Sequence, residues 1–159
     1  MSTGSELPIA LRAAYLALHR QSEAQFASHG VTADQFVLLA TLVRGGHALT
    51  QRELARRMSS DPSTVRAMLA LLEPRGFVER STHPTDARAR TVALTAAGER
   101  MFRQLWTAGE PIRALMLDAL EPGEAEILVR LLARVAGALN PELAPVRESS
   151  PSHSPEDEV

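Results

Sequence analysis

Ser63, Thr64 and Arg66 lie within one helical turn behind Pro62, and Thr50, Gln51 and Arg52 stand together a short way upstream. Hydroxyl, amide and guanidinium groups at such spacing hydrogen-bond phosphates and the edges of bases. A third group lies in the polar stretch Ser81–Arg90, which carries Asp86, Arg88 and Arg90. If that arm is extended, Arg88 and Arg90 are expected to project to opposite sides, so that one can face a narrow minor groove, where negative potential concentrates. Asp86 would repel phosphate, and is expected instead to support the arm by holding a neighbouring Arg. The bland reading of each group is a solvated surface.

The elements around these residues are legible. Thr50-Gln51-Arg52-Glu53 fits a capping box and opens a short helix, Leu49–Met58. Asp61 suits a helix cap and Pro62 a first helical position, so the next helix runs to about Arg75, with Gly76 as its stop. Its inner face is Val65, Met68, Leu69 and Leu72. The opposite face, Pro62, Ser63, Arg66, Ala67 and Ala70, is small and polar enough to approach base edges. Two short helices joined by a tight polar turn form a helix-turn-helix. Phe77–Arg80 and Thr91–Leu94 read as strands on either side of the basic arm. Strand, basic loop and strand behind a helix-turn-helix make a winged helix.

The flanks are helical. Leu7, Leu11, Ala14, Tyr15, Leu18 and Phe26 recur at helical spacing, predicting a helix over 7–29 that ends at Gly30. A second helix starts at Thr32, carries Phe36, Val37, Leu39, Ala40 and Val43, and ends at Gly45-Gly46. A long helix begins behind Thr95 with Met101, Phe102, Leu105, Trp106, Ile112, Leu115 and Met116 on its apolar side, and Pro111 is expected to kink it. A last helix comes after Glu121-Pro122-Gly123-Glu124, with a stripe of Ile127, Leu128, Leu131, Leu132, Val135 and Leu139. The expected fold is mainly α with a small β wing: a winged helix-turn-helix flanked by terminal dimerisation helices. The regions are 1–6, a flexible N-terminus; 7–31, an N-terminal dimerisation helix; 32–98, the winged helix-turn-helix; 99–140, C-terminal dimerisation helices; and 141–159, a disordered acidic tail. The terminal helices exceed what a winged helix needs for support, so Leu7, Leu11, Leu128, Leu131, Leu132 and Val135 are expected to pack on a second copy as a C2 homodimer.

Charge supports the basic segment only when read locally. The 159 residues carry a net charge of −2. Residues 50–104 hold ten Arg against six acids, a net +4, while 141–159 hold one Arg against five acids, a net −4. The tail, rich in Pro, Ser and acid, lacks a periodic apolar pattern and cannot offset its ordering entropy. It either serves as a passive solubilising tail or competes with DNA for the basic wing. Cys is absent, which excludes disulfides, thiolate metal sites and cysteine nucleophiles. His19, His29, His47, His83 and His153 form no i, i+4 pair, so no metal and no cofactor is expected. No phosphate loop, Gly-x-Ser-x-Gly or Ser/His/Asp grouping points to an enzyme. No apolar run approaches a membrane span and Met1–Glu6 resembles no secretion signal, which makes the cytoplasm the default expectation.

A small-molecule site is also expected. Tyr15 and His19 lie one turn apart on the first helix, and Phe36 and Trp106 could complete an aromatic wall between the winged helix and the dimer helices. A His there suits a carboxylate or phenol. Core packing is the competing explanation for each of these residues.

Taken together, Leu49–Ala55, Ser63–Arg66, Leu72–Arg80, Asp86–Arg90 and Leu94–Gly98 resemble the MarR family of bacterial transcriptional regulators, and with its flanks the resemblance covers about 7–140. It implies a dimeric winged helix-turn-helix repressor on a double-stranded, pseudo-palindromic operator, released by small aromatic or phenolic acids. The family's Asp-x-Arg wing pattern falls on Asp86 and Arg88, which makes Arg88 the expected minor-groove residue. Ala87 stands where many members carry a second basic residue. Pro74 stands where Lys or Arg is common, so the recognition helix is expected to end or bend early. The family's oxidant-sensing branch needs a Cys, which this chain lacks. The rival reading is a winged-helix protein-interaction module without specific DNA binding.

Overall fold

The computed structural model describes residues 2–86 and 88–143. It is mainly helical with one small sheet. Helix α1 (Thr3–Phe26) ends in a single 3-10 turn, Ala27–His29, closed by Gly30 in a left-handed conformation. α1 starts before the apolar periodicity does. Residues 3–6, expected within a flexible N-terminus, form its first turn, with the Ser5 and Glu6 amides bonded to the Ser2 carbonyl.

Helix α2 (Ala33–Arg44) is capped by a full reciprocal box: Thr32 Oγ1 accepts from the Gln35 amide and Gln35 Oε1 accepts from the Thr32 amide, each at 3.1 Å. A short strand, β1 (Ala48–Thr50), leads into helix α3 (Gln51–Arg57). The box expected at Thr50 is only half formed. Thr50 Oγ1 accepts from the Glu53 amide at 3.1 Å, but the Glu53 carboxylate turns to Arg56 and Arg57, since two guanidiniums outcompete one neutral amide.

Ser59, at φ +52°, turns the chain from α3 into helix α4 (Pro62–Leu72). The Ser59 and Ser60 amides donate back to the Arg56 and Ala55 carbonyls, the pair of bonds that closes a helix through a left-handed residue. Asp61 caps α4 by accepting from the Ser63 amide at 2.7 Å. Val65, Met68, Leu69 and Leu72 are buried, as the apolar spacing requires. α4 ends at Leu72, short of Arg75, because Pro74 has no amide with which to continue it.

Strands β2 (Val78–Thr82) and β3 (Arg90–Leu94) form the wing, and the antiparallel order is β1-β3-β2. β1 was not foreseen. Its three residues are too short for alternation to be read, and their pairing with Thr91, Val92 and Ala93 defines them. The core joins Leu38, Leu39 and Leu42 of α2, Leu54 of α3, Val65, Leu69 and Leu72 of α4, Val78 and Val92 of the wing, and Leu105 of the next helix.

That helix, α5 (Ala96–Ala108), starts against the turn between α4 and β2. The Thr95 amide donates to the Phe77 carbonyl at 3.1 Å, and the Thr95 hydroxyl donates to the Gly76 carbonyl. Gly98 faces the same carbonyl so closely that a Cβ would run into the Phe77 oxygen and the Leu94 side chain. The long helix does not kink at Pro111. It breaks at Gly109 and restarts as α6 (Glu110–Asp118), with Pro111 in the new first turn, where its missing amide costs nothing.

Helix α7 (Glu124–Leu139) buries none of its residues. Beyond it, the 3-10 turn Pro141–Leu143 comes back onto α3, where Arg56 Nη1 donates to the Glu142 carbonyl at 3.1 Å. The rest of the expected disordered tail, 144–159, and the departure at Ala87 lie outside the described residues. Among the described residues no single helix is long and apolar enough to cross a membrane.

The junction at Gly98 makes a direct prediction. Gly98→Ala is expected to lower stability by about 3 kcal/mol through overpacking against backbone. Urea unfolding of this variant beside Ala97→Gly, a conventional helix substitution at the adjoining position, checks that the loss comes from the contact.

Candidate nucleic-acid interface

The start of α3, the start of α4 and the wing surround one open cleft of about 520 Å3, lined by Thr50, Gln51, Arg52, Pro62, Asp86, Arg88, Ala89 and Arg90. Seven of these are residues the sequence reading singles out. Ser63, Thr64 and Arg66 lie beside it on the exposed face of α4. The Ser63 hydroxyl donates to Asp61, and this pulls the Asp61 carboxyl below its usual range.

One expectation about the wing needs correction. Arg88 and Arg90 line the same cleft rather than opposite sides, because the arm is not extended there: Arg88 lies in the hydrogen-bonded turn from Asp86 to Ala89 and β3 starts only at Arg90. Asp86 holds the neighbouring Arg88, and does so through the backbone. Its Oδ1 accepts from the Arg88 backbone amide at 2.9 Å, its carbonyl accepts from the Ala89 amide, and the His83 amide donates to the Ala89 carbonyl. Asp86 therefore supports the arm through the backbone and leaves the Arg88 side chain unengaged. His83, which the sequence reading did not assign here, accepts from the Thr85 amide at 3.2 Å and helps to shape the tip.

Ion pairing sorts the arginines of this segment. Arg56 and Arg57 share Glu53 at 2.7 and 2.8 Å, Arg80 pairs with Glu73 at 2.9 Å, and Arg103 pairs with Glu99 at 2.7 Å. These guanidiniums depress their carboxylates, bringing Glu53 to about 2 and holding Glu73 and Glu99 low. Arg75 is taken by the Gly30 and His29 carbonyls and lies over Phe77. Among the described residues, Arg52, Arg66, Arg88 and Arg90 have no carboxylate within 4.0 Å, and all four are exposed. These four sit on the cleft and its edge, while Arg100, likewise exposed and without a carboxylate partner among the described residues, lies on α5.

A second cavity, of about 260 Å3, lies between α1, α2, α5 and α6. Tyr15, His19, Phe36 and Trp106 all line it, together with Phe26, Asp34, Ile112, Arg113 and Met116. All the chain's Phe, Tyr and Trp residues except Phe77 line this cavity or the row of rings beside it. Phe26, Phe36, Phe102 and Trp106 form a row with ring centres 4.9, 5.8 and 6.0 Å apart, and Tyr15 lies 5.7 Å from His19. Arg113 was missed. Its guanidinium lies over the Trp106 ring at 3.7 Å and pairs with Glu110. Reading the helix as continuous through Gly109 hid it; Gly-Glu-Pro at 109–111, taken as a stop and restart, was the signal. Glu23 ties the cavity walls together: its Oε1 accepts from the Ala33 amide at 2.6 Å and approaches His19 at 3.9 Å. Among the described residues no three His, Asp or Glu side chains converge as a metal site would need.

The proposed dimer residues lie apart from both sites. Leu7, Leu128, Leu131 and Leu132 are 40–48% exposed, and Leu11 and Val135 are half-buried.

Comparison with known proteins agrees with this geometry. A family model described as MarR family matches residues 29–89. The chain is 30% identical over 128 residues to an HTH-type transcriptional regulator of Mycobacterium bovis, Mb0904, covering 80% of this chain and 89% of that one. A crystal structure of a mutant MarR from E. coli complexed with operator DNA is similar at TM-score 0.72 and 27% identity, over 82% of this chain and 93% of that one. BpsR of Bordetella bronchiseptica, whose DNA binding is regulated by 6-hydroxynicotinic acid, is similar at TM-score 0.72 and 27% identity, over 82% of this chain and 98% of that one. The chain belongs to the MarR family of winged helix-turn-helix transcriptional regulators, DNA-binding proteins that catalyse no reaction.

Proposed function

We propose that the chain is a repressor that binds a pseudo-palindromic operator in the cytoplasm as a homodimer, and that a small aromatic or phenolic acid releases it. The observation that carries this is the convergence of Arg52, Arg66, Arg88 and Arg90, all without carboxylate partners among the described residues, around the cleft formed by α3, α4 and the wing. In a dimer, two α4 helices enter successive major grooves about 34 Å apart. Pro62, Ser63, Thr64 and Arg66 meet bases there. Thr50, Gln51 and Arg52 meet phosphate, Arg88 enters the minor groove, and Arg90 tracks the backbone. Asp86 fixes the wing that presents them. The MarR mutant's complex with operator DNA supports this reading.

The homodimer rests on the uncovered apolar residues of α1 and α7. Leu7, Leu11, Leu128, Leu131, Leu132 and Val135 give a second copy a surface to bury. The ligand rests on the aromatic cavity, whose 260 Å3 suits a single-ring acid. Arg113 adds a cation to Tyr15, His19, Phe36 and Trp106, and so an anchor for a carboxylate. A ligand there acts on DNA binding only by preferring a dimer whose α4 helices are wrongly spaced.

Fluorescence anisotropy with the chain's own upstream DNA tests the operator reading. Arg66→Ala is expected to cost roughly 1–3 kcal/mol and to relax specificity at its base, while Arg88→Ala weakens all sequences and lowers the salt slope by about 1. Absence of sequence-specific binding at low salt would favour the protein-interaction module instead. Leu132→Glu is expected to shift the chain to monomer in sedimentation velocity and to remove high-affinity binding. Benzoate and 6-hydroxynicotinate are expected to change Trp106 emission and raise Tm. Arg113→Gln should weaken that response by about tenfold or more, the loss of one charge-assisted hydrogen bond. An unchanged response in this variant removes Arg113 from the site.

A further inference from the structure

The turn Pro141–Leu143 delivers the end of the described chain to the DNA-facing side of the winged helix. Arg56 holds the Glu142 carbonyl at 3.1 Å, and Glu142 shares a recess with Thr50, Arg52 and Pro62. Those last three residues also line the cleft that holds Arg88 and Arg90. The chain therefore leaves the described structure at the rim of the cleft that holds Arg52, Arg88 and Arg90. The C-terminal segment 144–159 carries Glu148, Glu156, Asp157 and Glu158 against the single Arg147. The cleft lining carries Arg52, Arg88 and Arg90 against the single Asp86. Sixteen residues reach up to about 55 Å when extended, far more than the neighbouring cleft requires. A tether this short places its acids at an effective concentration of the order of millimolar.

We propose that residues 144–159 dock in the cleft between α3 and the wing and compete there with DNA. The acidic side chains pair with Arg52, Arg88 and Arg90, which line the cleft and have no carboxylate partner among the described residues. Docking needs no fixed conformation, since many arrangements of the tail present carboxylates to three exposed cations. DNA, with its denser charge, displaces the tail, and docking weakens every duplex by the same factor. At a protein concentration that saturates the operator, that factor empties weak duplexes first. Competition and this consequence rest on the DNA-binding reading proposed above; docking itself does not.

Two measurements on the full chain test it. The chain has no cysteine, so Ser152→Cys gives a unique attachment point for a nitroxide spin label. At low ionic strength the label is expected to broaden the amide resonances of Gln51, Arg52, Arg88 and Arg90, and the broadening should vanish in high salt as the charges are screened. In the second measurement, Glu148, Glu156 and Glu158 are changed to Gln and Asp157 to Asn. A tail that occupies the cleft about four-fifths of the time makes this variant bind DNA about fivefold tighter at low salt. The gain should be the same factor on a random duplex and on the operator, since both displace the same tail, and should shrink as salt rises. Absence of broadening at the cleft overturns docking. Broadening with unchanged DNA affinity in the neutralised variant overturns competition. If neither protein binds DNA specifically, the operator reading fails, and the spin label still decides whether the tail docks.

Discussion

At the head of α5 the Gly98 backbone lies against the Phe77 carbonyl with no space for a Cβ, and Thr95 fastens the same turn through its amide and hydroxyl. Three elements meet at this point. Phe77 comes after α4 and opens the wing, and α5 carries Leu105 into the core and Phe102 and Trp106 to the aromatic row. The start of α5 is therefore fixed to the turn between α4 and β2 by backbone contact rather than by adjustable side chains. Under the proposed ligand reading, strain in the cavity matters only where it appears as displacement of α4, and this junction is one backbone route between the two.

The arginines show how misleading a total charge can be. A net charge of −2 argues against an anionic partner until each cation is assigned its own neighbours. Glu53 absorbs two guanidiniums, Glu73 and Glu99 absorb one each, and the carbonyls of the turn between α1 and α2 absorb Arg75. Among the arginines with no carboxylate within 4.0 Å in the described residues, Arg52, Arg66, Arg88 and Arg90 stand together at the cleft, so position as well as pairing decides which charge can meet an anion.

Local chemistry was the legible part of this chain. Asp61-Pro62, Thr95 and the apolar spacing of α4 define their helices without help from elsewhere, and the structure agrees. The aromatic cavity was legible in part: Tyr15, His19, Phe36 and Trp106 come together, but Arg113 joins them only because the backbone breaks at Gly109. The differences arise where a distant partner decides the outcome. β1 exists through β3, and the Glu53 carboxylate leaves the cap for two arginines. The opposed projection of Arg88 and Arg90 supposed an extended arm, whereas Arg88 lies in the turn that Asp86 and Ala89 close.

α7 carries a further consequence. A helix of 16 residues with no buried side chain gains little from its own propensity, and its order depends on what covers it. Under the homodimer reading the covering surface is another copy, so folding and self-association are a single equilibrium. A newly synthesised chain at low copy number then presents an uncovered apolar helix to proteases and chaperones, while the same chain at higher copy number is protected. The abundance of the regulator acquires a threshold of its own, set by the affinity between copies and independent of any operator or ligand.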